Sequence, residues 1–133
     1  MKYIFFLATI IFISCSNASL KIDPKEIVGI PVRIGNIEIT QNDFPDEMNW
    51  YDSEMMCKSL GEGWRMPNQE EIHAIYQMKN KIPGLSHSTY WSSTEATWLF
   101  DAWTHNFIDG NQSTTLFNKY TEHFAVRAVR LIK

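Results

Sequence analysis

Between residues 49 and 84 the apolar positions repeat with the period of a helix, and from residue 89 onward with that of a strand. That switch admits few architectures. Two helices followed by several short strands make an α+β domain, with the helices set to one side of antiparallel sheet. In the first helix Asn49 is placed to cap the N-terminus, Asp52 falls in the first turn and Gly61 can end it. Trp50, Ser53, Met56, Cys57 and Leu60 form its buried stripe. The second opens at Asn68, which with Glu71 has capping-box spacing; Gln69 and Glu70 fill the first turn. Ile72, Ile75, Tyr76 and Met78 give its inner face, and Pro83-Gly84 closes the element.

Ahead of the helices, "VRIGNIEI" (32–39) alternates around Gly35-Asn36, the pattern of a hairpin with a two-residue turn. Residues 41–48 have loop composition. Beyond the helices, strands are expected at 89–94, 101–107, 113–119 and 123–132, with a tight turn at 109–112. The chain contains no internal repeat and no low-complexity tract.

The first residues, "MKYIFFLATIIFISCSNAS", carry a separate message. Lys2 precedes a run from Ile4 to Ile13 that is apolar except for Thr9. That run is far shorter than the roughly 20 residues of a membrane-spanning helix. A short cationic start, a short apolar run and small residues after it mark an export signal. Two cleavage sites fit. Ser14-Cys15 resembles a lipobox, with Phe12 in place of its usual Leu, Val or Ile; Ser16 and Ala18 would suit cleavage after Ala18 instead, giving a periplasmic or secreted chain. The lipoprotein reading is preferred because Cys15 stands directly at the end of the apolar run. It divides the chain into a signal at 1–14, a polar tether at 15–26 and a domain at 27–133. Cys15 would then be the lipidation site, tethering the protein to a membrane of the bacterial envelope through more than one acyl chain.

Cleavage before Cys15 leaves 119 of the 133 residues, enough for one core, and removes one positive charge from a formal net of −3. Such a balance provides no footprint for nucleic acid and no polybasic patch for a membrane surface. Cys57 is the other cysteine, so an internal disulfide framework is excluded. It is expected to be a buried thiol, since no histidine adjoins it in sequence to activate it.

Several strings occur together: Gly63-Trp64-Arg65-Met66-Pro67, Tyr90-Trp91-Ser92-Ser93-Thr94 and Val126-Arg127-Ala128-Val129-Arg130. In that order and spacing the chain resembles the Lcl C-terminal-like domain family of bacteria, over about residues 34–131. The resemblance implies a C-type-lectin-like fold, two helices packed on a small twisted antiparallel sheet with the chain ends close together. Many members are exported or lipid-anchored, and the family implies no settled activity. Some carry a cysteine where Ala128 stands here, one that would pair with Cys57; this chain cannot form that bridge.

Chemistry is constrained mainly by omission. Sugar-binding C-type lectins hold calcium with Glu-Pro-Asn or Gln-Pro-Asp and Trp-Asn-Asp triplets, none of which occurs here. Glu95, Asp101 and Asp109 are a poor substitute for the six to eight oxygens calcium takes. The formylglycine-generating oxidases on this broad fold need a cysteine pair. His73, His87, His105 and His123 have no zinc-clip spacing. A Ser92 or Ser93, His105 and Asp101 hydrolase can be drawn, but no G-x-S-x-G elbow supports it. The chain is therefore read as a non-enzyme without cofactor or metal. Arg127 and Arg130 fall on opposite faces of a strand, each expected to meet a carboxylate or an aromatic ring. Arg65 is expected to tie the interhelical turn to the sheet.

The remaining candidate surface is the connection "TEATWLFDA" (94–102). Trp98 and Phe100 would stack on a sugar or anchor a protein, with Asn106, Asn111 and Gln112 adding hydrogen bonds at the rim. The functional expectation is a lipid-anchored binding or adhesion module that recognises a glycan or an envelope protein without calcium. The alternative is a structural envelope lipoprotein with no small-molecule ligand, in which those aromatic residues would be buried.

Overall fold

A computed structural model describes residues 22–97, 100–114 and 118–133. Along the chain it contains α1 (Pro24–Val28), β1 (Val32–Ile34), β2 (Ile37–Ile39), α2 (Trp50–Ser59) and α3 (Gln69–Gln77). A 3-10 turn (Lys79–Lys81), β3 (Thr89–Glu95), β4 (Ala102–Asn106), β5 (Gln112–Ser113) and β6 (Val129–Leu131) complete it. The strands make two antiparallel sheets, ordered β1-β2-β6 and β3-β4-β5.

The local signals work as the side chains dictate. Asn49 Oδ1 accepts from the Asp52 amide at 2.9 Å and starts α2. Asn68 Oδ1 accepts from the Glu71 amide at 2.8 Å while the Glu71 carboxylate accepts from the Asn68 amide, a complete capping box. Gly35, at φ 55°, forms the hairpin turn between β1 and β2. Trp50, Ser53 and Cys57 turn inward from α2, and Ile72 and Ile75 from α3. Trp50, Cys57, Trp64, Met66, Trp91 and Val126 share one apolar cluster. Ile37, Ile39, Ile75, Tyr90, Phe107 and Val129 belong to a second.

Two stretches differ from the sequence expectation. Residues 24–26, assigned to the tether by their polarity, open α1; Asp23 Oδ1 accepts from the Lys25 amide at 2.9 Å, and Ile27 is buried. Five residues are too few to show a helical period. The expected strand at 123–132 is regular only over β6. Before it the backbone changes partner every few residues: Phe124 bridges to Met48, Ala125 to Tyr90, the Val126 carbonyl accepts from Phe44 and that of Ala128 from Thr40. This segment joins the two sheets instead of extending one. Of the strand expected at 113–119, Ser113 lies in β5, and residues 115–117 fall outside the described residues.

Arg127 secures that junction. Its buried guanidinium donates to Asp43 and to the carbonyls of Thr40, Gln41 and Gly84, which belong to two separate stretches of chain. Arg130, on the other face, pairs with Glu38 at 2.8 Å and Glu62 at 2.9 Å and lies 4.5 Å over the Trp64 ring. The Arg130 hydrogen bond holds the Glu38 carboxyl below its usual range. Both arginines thus meet the partners expected of them. Arg65 joins the interhelical turn to β6 through backbone bonds with Val129, while its guanidinium pairs with Glu71 at 2.9 Å. Cys57 is a free, fully buried thiol in the cluster that includes Ala128, and burial pushes its ionisation far above the ordinary range.

Candidate functional site

The stretch "YWSST" is structural. Trp91 is buried and donates its indole N–H to the Met48 carbonyl at 2.9 Å. Ser92, also buried, donates to the Trp103 carbonyl at 2.9 Å. The Ser93 amide donates to the Pro67 carbonyl, and Thr94 Oγ1 accepts from the Gln69 amide at 2.9 Å, so β3 fixes the start of α3. The ladder to β4 is irregular between Trp91 and Glu95. The drawn hydrolase is not assembled here: Ser92 is engaged with backbone, His105 with another histidine, and Asp101 forms a bridge with Asn118.

An aromatic strip lies at the far end of β3. Phe100 and Tyr120 are each 56% exposed, with ring centroids 6.2 Å apart. Tyr120 lies 4.7 Å from Tyr51, and Tyr51 meets the edge of Trp50 at 5.2 Å. A hydrogen bond with Tyr51 raises the Tyr120 hydroxyl above its ordinary pKa. Met55, one helical turn beyond Tyr51 on α2, is also exposed.

The strip is held from beneath. The buried Lys119 places its ammonium 4.8 Å from the Trp50 ring and 5.5 Å from that of Tyr51, with Glu95 Oε2 at 3.4 Å. Its backbone N–H donates to the Phe100 carbonyl at 2.7 Å, and its carbonyl accepts from Trp50 at 3.0 Å. Asn118 Oδ1 accepts from the Tyr120 amide at 2.8 Å and shapes the turn. The exposed rings therefore stand on a fastened base.

Phe100 is the one sequence candidate placed in this strip. Trp98 lies outside the described residues, as does Cys15. Asn106, Asn111 and Gln112 do not join Phe100 at one rim, because the length of β4, about 16 Å at its ordinary rise, separates them. Asn106 Oδ1 accepts from the Ile108 amide at 2.7 Å, and Asn111 Nδ2 donates to Asp109 at 3.0 Å; both shape the turn before β5. Tyr51 and Tyr120 escaped the sequence reading. The Tyr51–Met55 spacing, off the buried stripe of α2, was the available signal.

Gln112 belongs to a different group. Its Nε2 lies 3.3 Å from His73 Nδ1, its Oε1 accepts from Gln69 at 3.1 Å, and His73 Nδ1 is 3.0 Å from His105 Nε2. His105 is buried and its Nδ1 has no hydrogen-bond partner. Burial lowers its pKa below 6.5, partly offset by the Asn106 backbone; the His73 charge lowers it further and Asp109 raises it. Between the folded and unfolded values the unfolded chain binds more protons, so stability falls as pH drops from about 6.5. Urea denaturation at pH 7.5, 6.5 and 5.5 should show this loss, and His105→Gln should flatten its slope across that window.

The described surface also has clefts away from the strip. One of about 430 Å³ lies beside Asp43, Glu47, Ser86 and Ser88. Its carboxylates are already engaged: Asp43 accepts from Tyr90 at 2.6 Å and Glu47 from Ser88 at 2.9 Å. Another, about 450 Å³, is lined by the Arg33, Glu38, Arg130 and Glu62 ion pairs. Among the described residues no group of three or more His, Cys, Asp or Glu could hold a metal ion. No helix among them is long and apolar enough to cross a membrane.

The fold has clear counterparts. The chain is similar to the snake venom toxin convulxin, with TM-score 0.56 and 11% identity, covering 77% of this chain and 96% of that one. It is similar to botrocetin at TM-score 0.53 and 10% identity, with the same coverage. At such identity the likeness concerns fold alone, and that fold is C-type-lectin-like. No curated protein sequence matches the chain. The model of the Lcl C-terminal domain family matches residues 15–130. With that match over most of its length, the chain belongs to the Lcl C-terminal domain family.

Proposed function

We propose that the protein is an exported, lipid-tethered binding module that engages a glycan or an envelope protein, without calcium, through the strip of Phe100, Tyr120 and Tyr51. The observation that carries this reading is the exposure of Phe100 and Tyr120 above a rigid base, where a solitary core aromatic would be covered. The C-type-lectin-like fold suits such a role, and the short apolar leader with Cys15 supplies the tether. The structural alternative called for Trp98 and Phe100 to be buried; Phe100 is exposed, and Trp98 lies outside the described residues.

A glycan array and immobilised envelope fractions, each read with and without EDTA, test the proposal. Binding should survive EDTA and fall about tenfold in Phe100→Ala, the loss of one moderate anchor. Binding that disappears with EDTA, or that ignores the substitution, contradicts it. Cys15→Ser should also release the protein from the membrane fraction; retention there would remove the tether.

A further inference from the structure

We infer that the partner of the strip is a protein segment presenting a lysine or arginine side chain beside an apolar one. This rests on the strip being the contact surface, and it narrows what can occupy it.

The fold already contains the proposed interaction on the inner side. The Lys119 ammonium lies against Trp50 and Tyr51 and is met by Glu95, an ammonium on ring faces with a carboxylate beside it. The outer side offers the same chemistry without a cation of its own. Asp101 follows Phe100, Glu122 stands two residues after Tyr120, and Glu95 remains 60% exposed despite its contact with Lys119. The described cations of these segments are already engaged: Lys119 is buried, and Lys58 pairs with Glu54 at 3.2 Å. The charge left around the rings is therefore negative, as are the ring faces.

A neutral sugar would need directed polar partners beside the stacking ring. The three amides expected to provide them are at the other end of β4, and Asn118 already accepts from the Tyr120 amide. Met55 and Phe100 instead provide adaptable apolar footing next to the acidic rim. Together these features fit a basic, partly apolar peptide.

The test is an NMR titration of the ¹⁵N-labelled protein with three ligands. They are acetyl-Lys-Phe-Lys-amide, the same peptide with both lysines Nε-acetylated, and chitotriose as a neutral glycan. The amine peptide should shift the amides of Tyr51, Phe100 and Tyr120, and 0.5 M NaCl should weaken it. Acetylation should weaken it at least about fivefold, as should Phe100→Ala, with Glu122→Gln giving a smaller loss through charge alone. Equal binding of both peptides would overturn the cationic preference. Chitotriose shifting the strip in place of the peptide would overturn it too, while leaving the strip as the contact surface. If no ligand shifts these amides the inference fails. The strip itself then stands or falls on whether Phe100→Ala weakens envelope binding.

Discussion

Replacing Arg127 with alanine should lower the free energy of unfolding by about 4 kcal/mol. The guanidinium is fully buried and meets Asp43 and three backbone carbonyls; its removal takes the counter-ion from a partly buried carboxylate that keeps its Tyr90 hydrogen bond, and a donor from each of the three carbonyls. Folded domains have only about 5–15 kcal/mol to lose, so this single change brings the protein close to unfolding. Arg127→Lys should recover a minority of the loss, because one ammonium cannot reproduce the planar fork that reaches Asp43, Thr40, Gln41 and Gly84. Urea denaturation followed by tryptophan fluorescence measures both. Near-wild-type stability in Arg127→Ala would show that the 124–128 segment is held by its backbone bonds and apolar side chains instead.

The second large effect is at Trp91. Trp91→Ala removes a side chain that is 1% exposed and packs edge-on to Phe124 at 4.8 Å, and should cost about 3–5 kcal/mol. Trp91→Phe keeps much of the volume but removes the indole donor from the Met48 carbonyl, which still accepts from the Phe124 amide, and should cost about 1 kcal/mol. The same denaturation assay separates the two losses. If Trp91→Phe were neutral, the indole N–H bond would contribute nothing net to holding the 48 region against β3.

Much of this fold is legible in local sequence. Asn49, Asn68 and Glu71 are capping residues whose partners lie three positions away, and Gly35-Asn36 specifies its hairpin through backbone conformation. These are short-range interactions, and a short window of sequence contains all of their parts. The 123–132 segment alternates as one strand does, whereas its backbone partners are 34 to 96 residues away and lie in β2, in β3 and in the connections around them. No local pattern encodes that change of partner.

The candidate site was half legible for the same reason. Phe100 could be proposed from its place in a connection between strands, but Tyr51 and Tyr120 reach it from the opposite sides of the domain sequence. Asn106, Asn111 and Gln112 are polar and near one another along the chain, which suggested a rim. Two of them instead close the turn before β5, and Gln112 bonds to Gln69 beside the histidine pair, an arrangement formed by the pairing of β4 with β5 and the packing of α3. Glu95 and Lys119 likewise meet only in the folded chain.

The most direct measurement of the functional reading compares envelope binding by the wild type, a Phe100→Ala/Tyr120→Ala double variant and an Ile108→Ala control. Ile108 is more exposed than either ring but lies beyond the other end of β4. With melting temperatures matched, the double variant should lose binding by about 30-fold or more, the loss expected of a pair of anchoring rings. The control should bind as wild type. Undiminished binding by the double variant, or an equal loss in the control, would contradict the strip as the contact surface.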